Sequence, residues 1–425
     1  MTMKKTTLSL LVASLSFGSL VSAADITPTD AELTGQRVYH HMENMVAFIE
    51  QNGVNTFEFP GLADHTWDVI TPALDHIYGK AMLDVTAGPV ELTVPPRESE
   101  RYASLHLVDA EHFSVYHEVT PEVGGTYLIV REGADYTIPQ GDYIDTITVK
   151  DDLIFSFIRV QTFEYRDSGV ADTWRKQIEV NNLAPKSEIA LPDRNNIHAV
   201  IKFADEISDG WAQTHTNMQT IISDDSFDKQ RLNEVRNYVH ELGTSGLVVN
   251  NLSGFEHPGH ADDLADERRR SLLTHLGHLG FPAEHAYYKL IPMTPEGKQL
   301  NGSEDFVLTM PHDQAVGKFW SVTRYSDETR LPLDPATIGG SDRQVWAGGN
   351  TTPDNEGNVT ITFSSDNPEN GTYWMPVVDG EDYYFVVRYY LPQAGLAGNT
   401  AQSIIYKGTE LESLMVPKAT FNYGN

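Results

Sequence analysis

The stretch Leu92-Thr93-Val94-Pro95 recurs with one substitution as Leu308-Thr309-Met310-Pro311. Shortly after each copy comes a basic residue, an aromatic residue, any residue, serine and an aliphatic residue, as Arg101-Tyr102-Ala103-Ser104-Leu105 and as Lys318-Phe319-Trp320-Ser321-Val322. Two matches in the same order indicate an internal duplication, and chance likeness between short strands is the alternative. Because apolar and polar residues alternate with a period of two around both copies, the repeated unit is predicted to be a β-sandwich.

Helical periodicity is found in two other places. Thr29 and Glu32 have the spacing of a capping box, and the helix that follows is predicted to end at Asn52-Gly53. Between the two β regions, one face of a helix is formed by Leu232, Val235, Val239 and Leu242. A second helix is predicted there from Asp262 or Asp263 to Gly280.

The predicted fold is therefore multidomain and mainly β with a helical insert. It has two antiparallel, jelly-roll-like β-sandwiches joined by a helical region. The predicted divisions are a signal peptide (1–23), an N-terminal helix and lead-in segment (24–75), a first sandwich (76–204), a helical region (205–285) and a second sandwich (286–425).

The N-terminus has the features of a secretory signal peptide. Lys4 and Lys5 precede the apolar run 8–21, and Val21-Ser22-Ala23 has the small residues of a cleavage site. Because the apolar run is short and rich in serine, it does not favour a retained membrane anchor, which is the alternative. The mature protein is predicted to be periplasmic or secreted, without a stable membrane span.

Acidic residues outnumber basic residues, with 60 Asp and Glu against 30 Lys and Arg and a net charge of −30. This charge repels nucleic acids and anionic membranes, so neither is a predicted partner. It suits an acidic surface in a salty medium, or cation binding. With 0 cysteines, disulfides, thiolate metal sites and cysteine nucleophiles are excluded.

Several motifs, taken in order, resemble a known family. In the N-terminal half they are Gly53-Val54-Asn55-Thr56-Phe57, Tyr78, Leu83-Asp84-Val85, Gly88-Pro89-Val90, Arg101-Tyr102, Leu107 and Asp109. In the C-terminal half they are Leu300-Asn301-Gly302-Ser303, Phe319-Trp320-Ser321-Val322-Thr323, Tyr373-Trp374-Met375-Pro376 and Arg388-Tyr389-Tyr390-Leu391-Pro392. They resemble the paired bacterial domains of unknown function DUF1254 and DUF1214.

The resemblance covers most of the chain after the signal peptide. It implies two β-sandwich-like domains around a helical region, in proteins that are often exported, and it implies no catalytic mechanism. The chain departs from the family at Asp75-His76-Ile77-Tyr78, where members usually read Asp-Thr-aliphatic-Tyr, and at Asp334-Pro335, where many have Asn-Pro. A pocket role of the Asp-Thr pair is therefore in doubt for this chain.

Charged and aromatic motif residues form the predicted ligand-binding set. Its members are Tyr78, Asp84, Arg101, Tyr102, Asp109, Arg159, Arg324 and Arg388. A guanidinium can pair bidentately with the carboxylate of a bound acid, or with an aspartate that fixes a corner of the sandwich. Both interpretations are open at this stage. The dense aromatic residues of the second sandwich can stack on a ligand, or fill the core and subunit contacts.

Oxygen-rich loops and histidine clusters are the candidate metal sites. Asp354, Glu356 and Asp366 offer oxygens to calcium or magnesium, and a hairpin turn explains the same residues. His257 and His260 lie beside acidic residues, while His275 and His278 are three apart on a predicted helix, a spacing that suits zinc. The cofactor is unknown, with calcium or magnesium expected before zinc.

The sequence leaves three classes of function open. The leading hypothesis is a protein that binds a small ligand or a divalent cation, as a homo-oligomer. The second is a hydrolase or lyase with a site between the sandwiches, using Asp84, Arg101 and His106 or His76. The third is a structural or host-interaction protein of the cell surface.

Overall fold

The computed structural model describes residues 27–67, 70–163, 168–185, 187–208, 212–244, 255–256, 267–281, 285–292, 298–314, 316–338, 343–393, 405–406 and 409–410. Its β-structure forms two sandwiches, one on each side of a helical stretch. Within the described ranges, no helix is both long and apolar enough to cross a membrane.

The first sandwich consists of two sheets. Its strands are β1 (His76–Asp84), β2 (Val90–Val94), β3 (Ala103–Val108), β4 (Phe113–Val119), β5 (Gly125–Arg131), β6 (Thr146–Val149), β7 (Leu153–Gln161), β8 (Glu179–Asn182) and the short β9 (Phe255–Glu256). One sheet has the order β1-β7-β3-β4-β9, and the other has the order β6-β5-β2-β8.

The second sandwich is built in the same way. Its strands are β10 (Ala286–Ile291), β11 (Phe306–Pro311), β12 (Trp320–Ser326), β13 (Val345–Ala347), β14 (Asn358–Ser364), β15 (Tyr373–Pro376), β16 (Tyr383–Tyr390), β17 (Ile405–Tyr406) and β18 (Thr409–Glu410). The sheet orders are β10-β16-β12-β13 and β15-β14-β11-β17-β18.

The two sandwiches share one topology. Subtracting nine from the strand numbers turns β10-β16-β12-β13 into β1-β7-β3-β4, and β15-β14-β11-β17 into β6-β5-β2-β8. Both sandwiches also have a parallel pair at the same place, β5 with β6 and β14 with β15, and the first sandwich has a further parallel pair, β4 with the short β9. The repeated sequence motifs therefore mark equivalent strands, as predicted.

A pair of threonines shows the repeat at the level of side chains. Thr93 lies opposite Thr126, and their hydroxyl oxygens are 2.9 Å apart. Thr309 lies opposite Thr360, and the corresponding distance is 3.1 Å. Because Thr93 and Thr309 hold the same place in the repeated stretch, the sequence motif reappears as one cross-strand contact.

Each sandwich has its own apolar core. In the first, Leu92, Leu105 and Ile158 belong to a cluster between the two sheets. In the second, Val322 and Ile361 belong to the equivalent cluster. The outer face of the β1-β7-β3-β4 sheet is covered instead, since Met82 and Phe157 pack in the core of a helical layer.

The helical layer combines segments from both ends of the first sandwich. The helices are α1 (Asp30–Asn52), α2 (Ser168–Arg175), α3 (Ile197–Ile207), α4 (Ala212–Ile222), α5 (Lys229–Thr244) and α6 (Glu267–Leu276). Of these, α2 packs on β1 and β7 of the first sandwich and does not belong to the layer. Helix α1 packs against α3, α4, α5 and α6. The N-terminal helix and the helices that follow the first sandwich therefore form one layer. The prediction had placed them in two separate divisions, 24–75 and 205–285.

The predicted capping box at the start of α1 is confirmed. The Thr29 side chain accepts from the Glu32 amide at 3.2 Å, and the Glu32 carboxylate accepts from the Thr29 amide at 2.8 Å. The helix ends at Asn52, followed by Gly53 at φ 74°, as predicted. The second predicted helix is described from Glu267, since 257–266 lie outside the described residues.

Candidate functional site

The outer faces of the two equivalent sheets meet in a layer of polar side chains. We call this layer the interdomain polar cluster. Its members are Asp75, His76, Tyr78, Tyr102, Ser104, Arg159, Tyr288, Ser321, Arg388 and Tyr390, of which all but the half-buried Tyr288 are buried. The cluster arises because strands of both sandwiches turn polar residues outward, where most outer-face residues would be apolar or solvated.

The strand registers place the same three residue types at equivalent positions in both sandwiches. In the first, Arg159 pairs with Ser104 on one side and with Tyr78 on the other. In the second, Arg388 pairs with Ser321 and with Tyr288. The interdomain polar cluster is thus formed from two copies of one tyrosine, arginine and serine triplet.

Asp75 is the acceptor at the centre of the cluster. Its carboxylate accepts from the Tyr390 hydroxyl at 3.0 Å, from the Ser321 hydroxyl, and from Nδ1 of His76 at 2.5 Å. Burial alone would raise the pKa of Asp75, but His76, Arg388 and Ser321 together hold it at about 2. Burial lowers the pKa of His76 and the neighbouring Asp75 carboxylate opposes this shift, while Nδ1 of the ring donates to that carboxylate.

The two arginines donate to backbone carbonyls and stack on aromatic rings. Nη2 of Arg159 donates to Leu279 O at 2.6 Å, and its guanidinium lies 3.9 Å from the centroid of Phe281. Nη2 of Arg388 donates to Thr71 O at 2.9 Å. Neither arginine forms an ion pair with a carboxylate within the part of the chain that the structure describes.

The cluster therefore has one carboxylate for two guanidiniums, and some of its donors are unused. Guanidinium groups stay protonated in proteins, so Arg159 and Arg388 exceed the charge of Asp75 by one. Among the described residues, Nη1 of Arg388, the hydroxyl of Tyr102 and Oγ of Ser104 are buried and form no hydrogen bond of ordinary geometry, although Tyr102 interacts with Ser104 and Arg388 with Tyr325. Buried polar groups are normally fully satisfied, so these donors can take a further acceptor.

Of the eight predicted ligand-binding residues, the structure brings four together: Tyr78, Tyr102, Arg159 and Arg388. The other four lie elsewhere. Arg324 lies on the inner face of the second sandwich, where Nη2 donates to Gln344 at 3.1 Å and burial lowers its pKa to about 9. Asp109 caps the turn after β3 by accepting from the amides of Glu111 and Phe113.

Asp84 and Arg101 do not share a site, which corrects the predicted hydrolase arrangement. Asp84 ends β1 opposite Leu153 and accepts from the amides of Thr86 and Ser187. Arg101 donates to the carbonyl of Gln161, which pairs with the first residue of β1. The nine residues of β1 therefore separate the two by about 26 Å, at 3.3 Å per residue.

The oxygen-rich loop has the geometry of a turn. Asp354, Glu356 and Asp366 are exposed. Oδ1 of Asp354 accepts from the amides of Glu356 and Asn358, and the Asp354 amide donates to Asn358 O at 2.8 Å. His257 and His260 lie outside the described residues. Calcium or magnesium binding at this loop remains a prediction.

A group of three histidines was not foreseen. His41, His112 and His278 each offer a nitrogen within 4.8 Å of the others, the one such group among the described residues that can hold a metal ion. Burial lowers the pKa of His41 to about 3, and it lowers those of His112 and His278 well below the usual value. The predicted pair His275 and His278 had indicated this region, but its other members are far away in sequence.

The fold and the site define a mainly β protein of two equivalent sandwiches with a polar cluster between them. Residues 54–182 match the family described as "Protein of unknown function (DUF1254)", and residues 285–394 match the one described as "Protein of unknown function (DUF1214)". The chain belongs to this two-part family, whose N-terminal and C-terminal domains correspond to the two sandwiches. The resemblance stated from the sequence motifs is confirmed.

A solved structure shows the same fold, and a second one is similar to a lesser degree. The VPA0106 protein from Vibrio parahaemolyticus superposes with a TM-score of 0.66 at 20% identity, covering 89% of this chain and 99% of that one. A putative uncharacterized protein from Burkholderia cenocepacia reaches a TM-score of 0.48 at 11% identity, over 89% of this chain and 93% of that one. Among curated proteins, none matches the chain.

Proposed function

We propose that this protein binds a small anionic ligand in the interdomain polar cluster, with a carboxylate as the first candidate. The observation that supports the proposal is the surplus of buried donors around Arg388. Nη1 of Arg388, the Tyr102 hydroxyl and Oγ of Ser104 are all buried and form no hydrogen bond of ordinary geometry among the described residues, their neighbours being each other for the two hydroxyls and Tyr325 for Arg388. A carboxylate offers planar acceptors that match a guanidinium bidentately.

The charge balance supports the sign of the ligand. With Asp75 ionised, the guanidiniums of Arg159 and Arg388 give the cluster at least one more positive than negative charge. A monovalent anion neutralises that excess in a place where water is scarce and electrostatic interactions are strong. Tyrosine rings around the arginines supply apolar area beside the charged groups, a usual composition of small-molecule sites.

The second class of function, a hydrolase or lyase, has less support. Asp75, His76 and Ser321 lie together, but the Ser321 hydroxyl donates to Asp75. A serine nucleophile needs its hydroxyl on the histidine base, with the acid on the opposite ring nitrogen. Here the Asp75 carboxylate instead accepts from both the Ser321 hydroxyl and the His76 ring.

The first experiment is a thermal-shift and calorimetric screen of the purified chain against acetate, succinate, citrate and inorganic phosphate. We expect at least one carboxylate to raise Tm, since a ligand at about 100 times its Kd adds roughly 2.7 kcal/mol of stability. If phosphate alone raised Tm, the proposed ligand would be a phosphate and not a carboxylate. No shift from any of the four at 10 mM (about the upper limit for a specific small-ligand site) would overturn the proposal.

Matched variants locate the site. Ser104→Ala removes a buried hydroxyl whose neighbour is the Tyr102 hydroxyl, so the unliganded protein should still fold while the carboxylate-induced shift shrinks. Ser156→Ala is the control, since Ser156 is equally buried and unpartnered but lies on β7, at a position facing the core of the same sandwich. Equal shifts in the two variants would place the ligand elsewhere.

We also propose that the mature protein works outside the cytoplasm and forms a homo-oligomer. Residues 1–23 support export through their basic start, apolar run and cleavage motif. N-terminal sequencing of protein from the periplasmic fraction should begin at Ala24, and a start at Met1 contradicts export. Light scattering on the purified protein gives the oligomeric state, and the mass of a monomer would contradict the proposed homo-oligomer.

A further inference from the structure

Three histidines that are distant in sequence come together beside the helical layer. His41 lies in α1, His112 lies in the turn between β3 and β4, and His278 follows α6. One ligating nitrogen from each lies within 4.8 Å of the other two. The packing of α1 against α6 brings His41 to His278, since these two helices are among the closest neighbours in the layer.

Hydrogen bonds orient the His41 ring. Its Nε2 lies 2.9 Å from the backbone carbonyl oxygen of Asp109, and a carbonyl only accepts. The proton is therefore on Nε2, and Nδ1 presents a lone pair. That Nδ1 accepts from Nε2 of His278 at 2.9 Å, so the proton of His278 has to move to its Nδ1 when Nε2 binds a metal ion. Metal-binding histidines usually have this support, in which the second ring nitrogen donates to a carbonyl or a carboxylate.

Hydrogen bonds also fix the tautomer of His112. Its Nε2 accepts from the amide of Leu279 at 2.9 Å, so Nδ1 carries the proton. Nδ1 then donates to the hydroxyl oxygen of Thr274 at 2.9 Å, and that hydroxyl donates to Arg270 O at 3.0 Å. His112 is thus neutral, as a metal ligand must be. Coordination through Nε2 replaces the contact with the Leu279 amide.

The distances suit a small ion. A tetrahedral zinc ion with bonds of about 2.0–2.1 Å holds its nitrogen ligands about 3.3 Å apart. Nδ1 of His41 and Nε2 of His278 are 2.9 Å apart. A movement of one ring by a few tenths of an ångström therefore gives the separation that a zinc ion requires.

The charged groups near the histidines are balanced. Arg270 interacts with Arg37 and with the carboxyl groups of Glu267, Glu111 and Asp109, but burial beside Asp151 and Glu111 raises the pKa of Asp109 well above its usual value, so that this carboxyl group adds no negative charge. Burial, with Arg37 nearby, lowers the pKa of His41 and of His112, and burial, with Lys80 nearby, lowers that of His278. Neutral rings suit a metal ion, which takes the place of a proton on a ring nitrogen.

Further histidines lead from this group to the surface. The His278 ring is 5.2 Å from His40, His40 is 6.1 Å from His275, and His275 is 5.9 Å from the exposed His240. A series of imidazoles gives an ion transient ligands on the way in, and an entry path is one requirement of a metal site.

We propose that His41, His112 and His278 bind one divalent transition-metal ion, with zinc as the first candidate and one coordination position open. Imidazole nitrogens suit zinc, copper, iron and nickel, whereas calcium and magnesium take oxygen ligands. The site reverses the order of metals expected from the acidic loops, and it does not depend on the proposed anion site. Three protein ligands with an open fourth position are typical of catalytic zinc.

The test uses the full chain stripped of metal with a chelator. We expect zinc to bind with a stoichiometry of one per chain, measured by elemental analysis after desalting and by competition with a zinc indicator. His278→Asn should weaken zinc binding at least tenfold, the usual size of losing a supporting or direct ligand. The control is His215→Asn, an exposed histidine on α4 that contacts Asp205 and should bind zinc like the unmodified protein.

Two results overturn the proposal. One is unchanged zinc affinity in His278→Asn. The other is loss of binding in His240→Asn while His278→Asn retains it, which assigns the ion to the surface. If circular dichroism shows that His278→Asn does not fold, X-ray absorption of the zinc-loaded unmodified protein identifies the ligands of the ion instead. Three imidazoles in the first shell support the site, and a shell of oxygens alone refutes it.

Discussion

The carboxylate of Asp75 and the hydroxyl of Tyr390 meet at 3.0 Å, although 315 residues separate them in the chain. Asp75 directly precedes the first strand of the first sandwich, and Tyr390 ends β16 of the second. Nearby, the Thr71 hydroxyl meets the Tyr384 hydroxyl at 2.7 Å, and Tyr325 donates to Pro72 O. The lead-in segment 71–75 therefore binds the outer face of the second sandwich.

Removing the Tyr390 hydroxyl should destabilise the protein by about 1–3 kcal/mol, because a buried carboxylate loses a donor. Tyr390→Phe makes this change without altering the ring. Tyr102→Phe is the matched control, since its hydroxyl does not donate to Asp75 and its ring is 5.5 Å from that of Tyr390. Urea unfolding compares the two, and equal midpoints would contradict the assigned hydrogen bond.

Gly302 should not tolerate a side chain. A Cβ at this position would lie 1.8 Å from the carbonyl oxygen of Val378, which is backbone and cannot rotate away. Gly302→Ala is expected to cost about 3 kcal/mol or more, the upper range for overpacking. Gly169→Ala, at an exposed position in α2 with nothing within 4 Å, should be neutral or stabilising. Thermal unfolding of both variants checks this, and a stable Gly302→Ala contradicts the close approach.

Asp151 should make the protein less stable as pH rises from about 4 to about 7. Burial, with Glu111 and Asp152 nearby, raises the pKa of Asp151 to about 7. In that window the unfolded chain has already lost the proton that the folded chain retains, so the free energy of unfolding falls by up to about 1.4 kcal/mol per pH unit. Asp151→Asn should remove this part of the slope.

The control for Asp151→Asn is Asp135→Asn, which changes an exposed carboxylate. Urea unfolding at several pH values between 4 and 8 gives the slopes. The sign would be refuted if Asp151→Asn steepened the loss of stability with pH, or if Asp135→Asn had the same effect.

The capping box should contribute about 1 kcal/mol to the start of α1. Thr29→Ala removes the acceptor of the Glu32 amide, and the usual cost of such a change is of this size. Amide hydrogen exchange in the first turn of α1 should become faster. Thr27→Ala, two residues earlier and exposed, should leave the exchange unchanged. Equal exchange rates in both variants would contradict the capping role.

Much of the fold could be predicted because it depends on local pattern. Thr93 and Thr309 identify equivalent strands, since a β-strand repeats its alternation wherever the same sandwich is built twice. Thr29 and Glu32 give the start of α1 for a similar reason, as the capping box needs residues only three apart. The sequence pattern did not foresee the parallel pairs β5-β6 and β14-β15, because pairing direction depends on how the chain returns between strands.

The candidate sites depend on distant pairings, and so they were predicted only in part. Arg324 and Arg388 look alike in sequence, but only the strand register shows that they lie on opposite faces of one sheet. His41 and His112 have no local spacing that predicts a metal site, because they meet only after α1 docks on the first sandwich. His76, at a position where the family resemblance departs, proved to be buried against Asp75.

The contact of segment 71–75 with the second sandwich has a consequence for the order of synthesis. A ribosome makes the first sandwich long before Tyr384 and Tyr390 exist, so the newly made Asp75 and His76 have no partners from the second repeat. The start of β1 can reach its final, fully hydrogen-bonded state only once the strand that ends at Tyr390 has been made. The earliest and latest parts of the fold are therefore completed together, and a chain that stops short of β16 leaves its first strand unfinished.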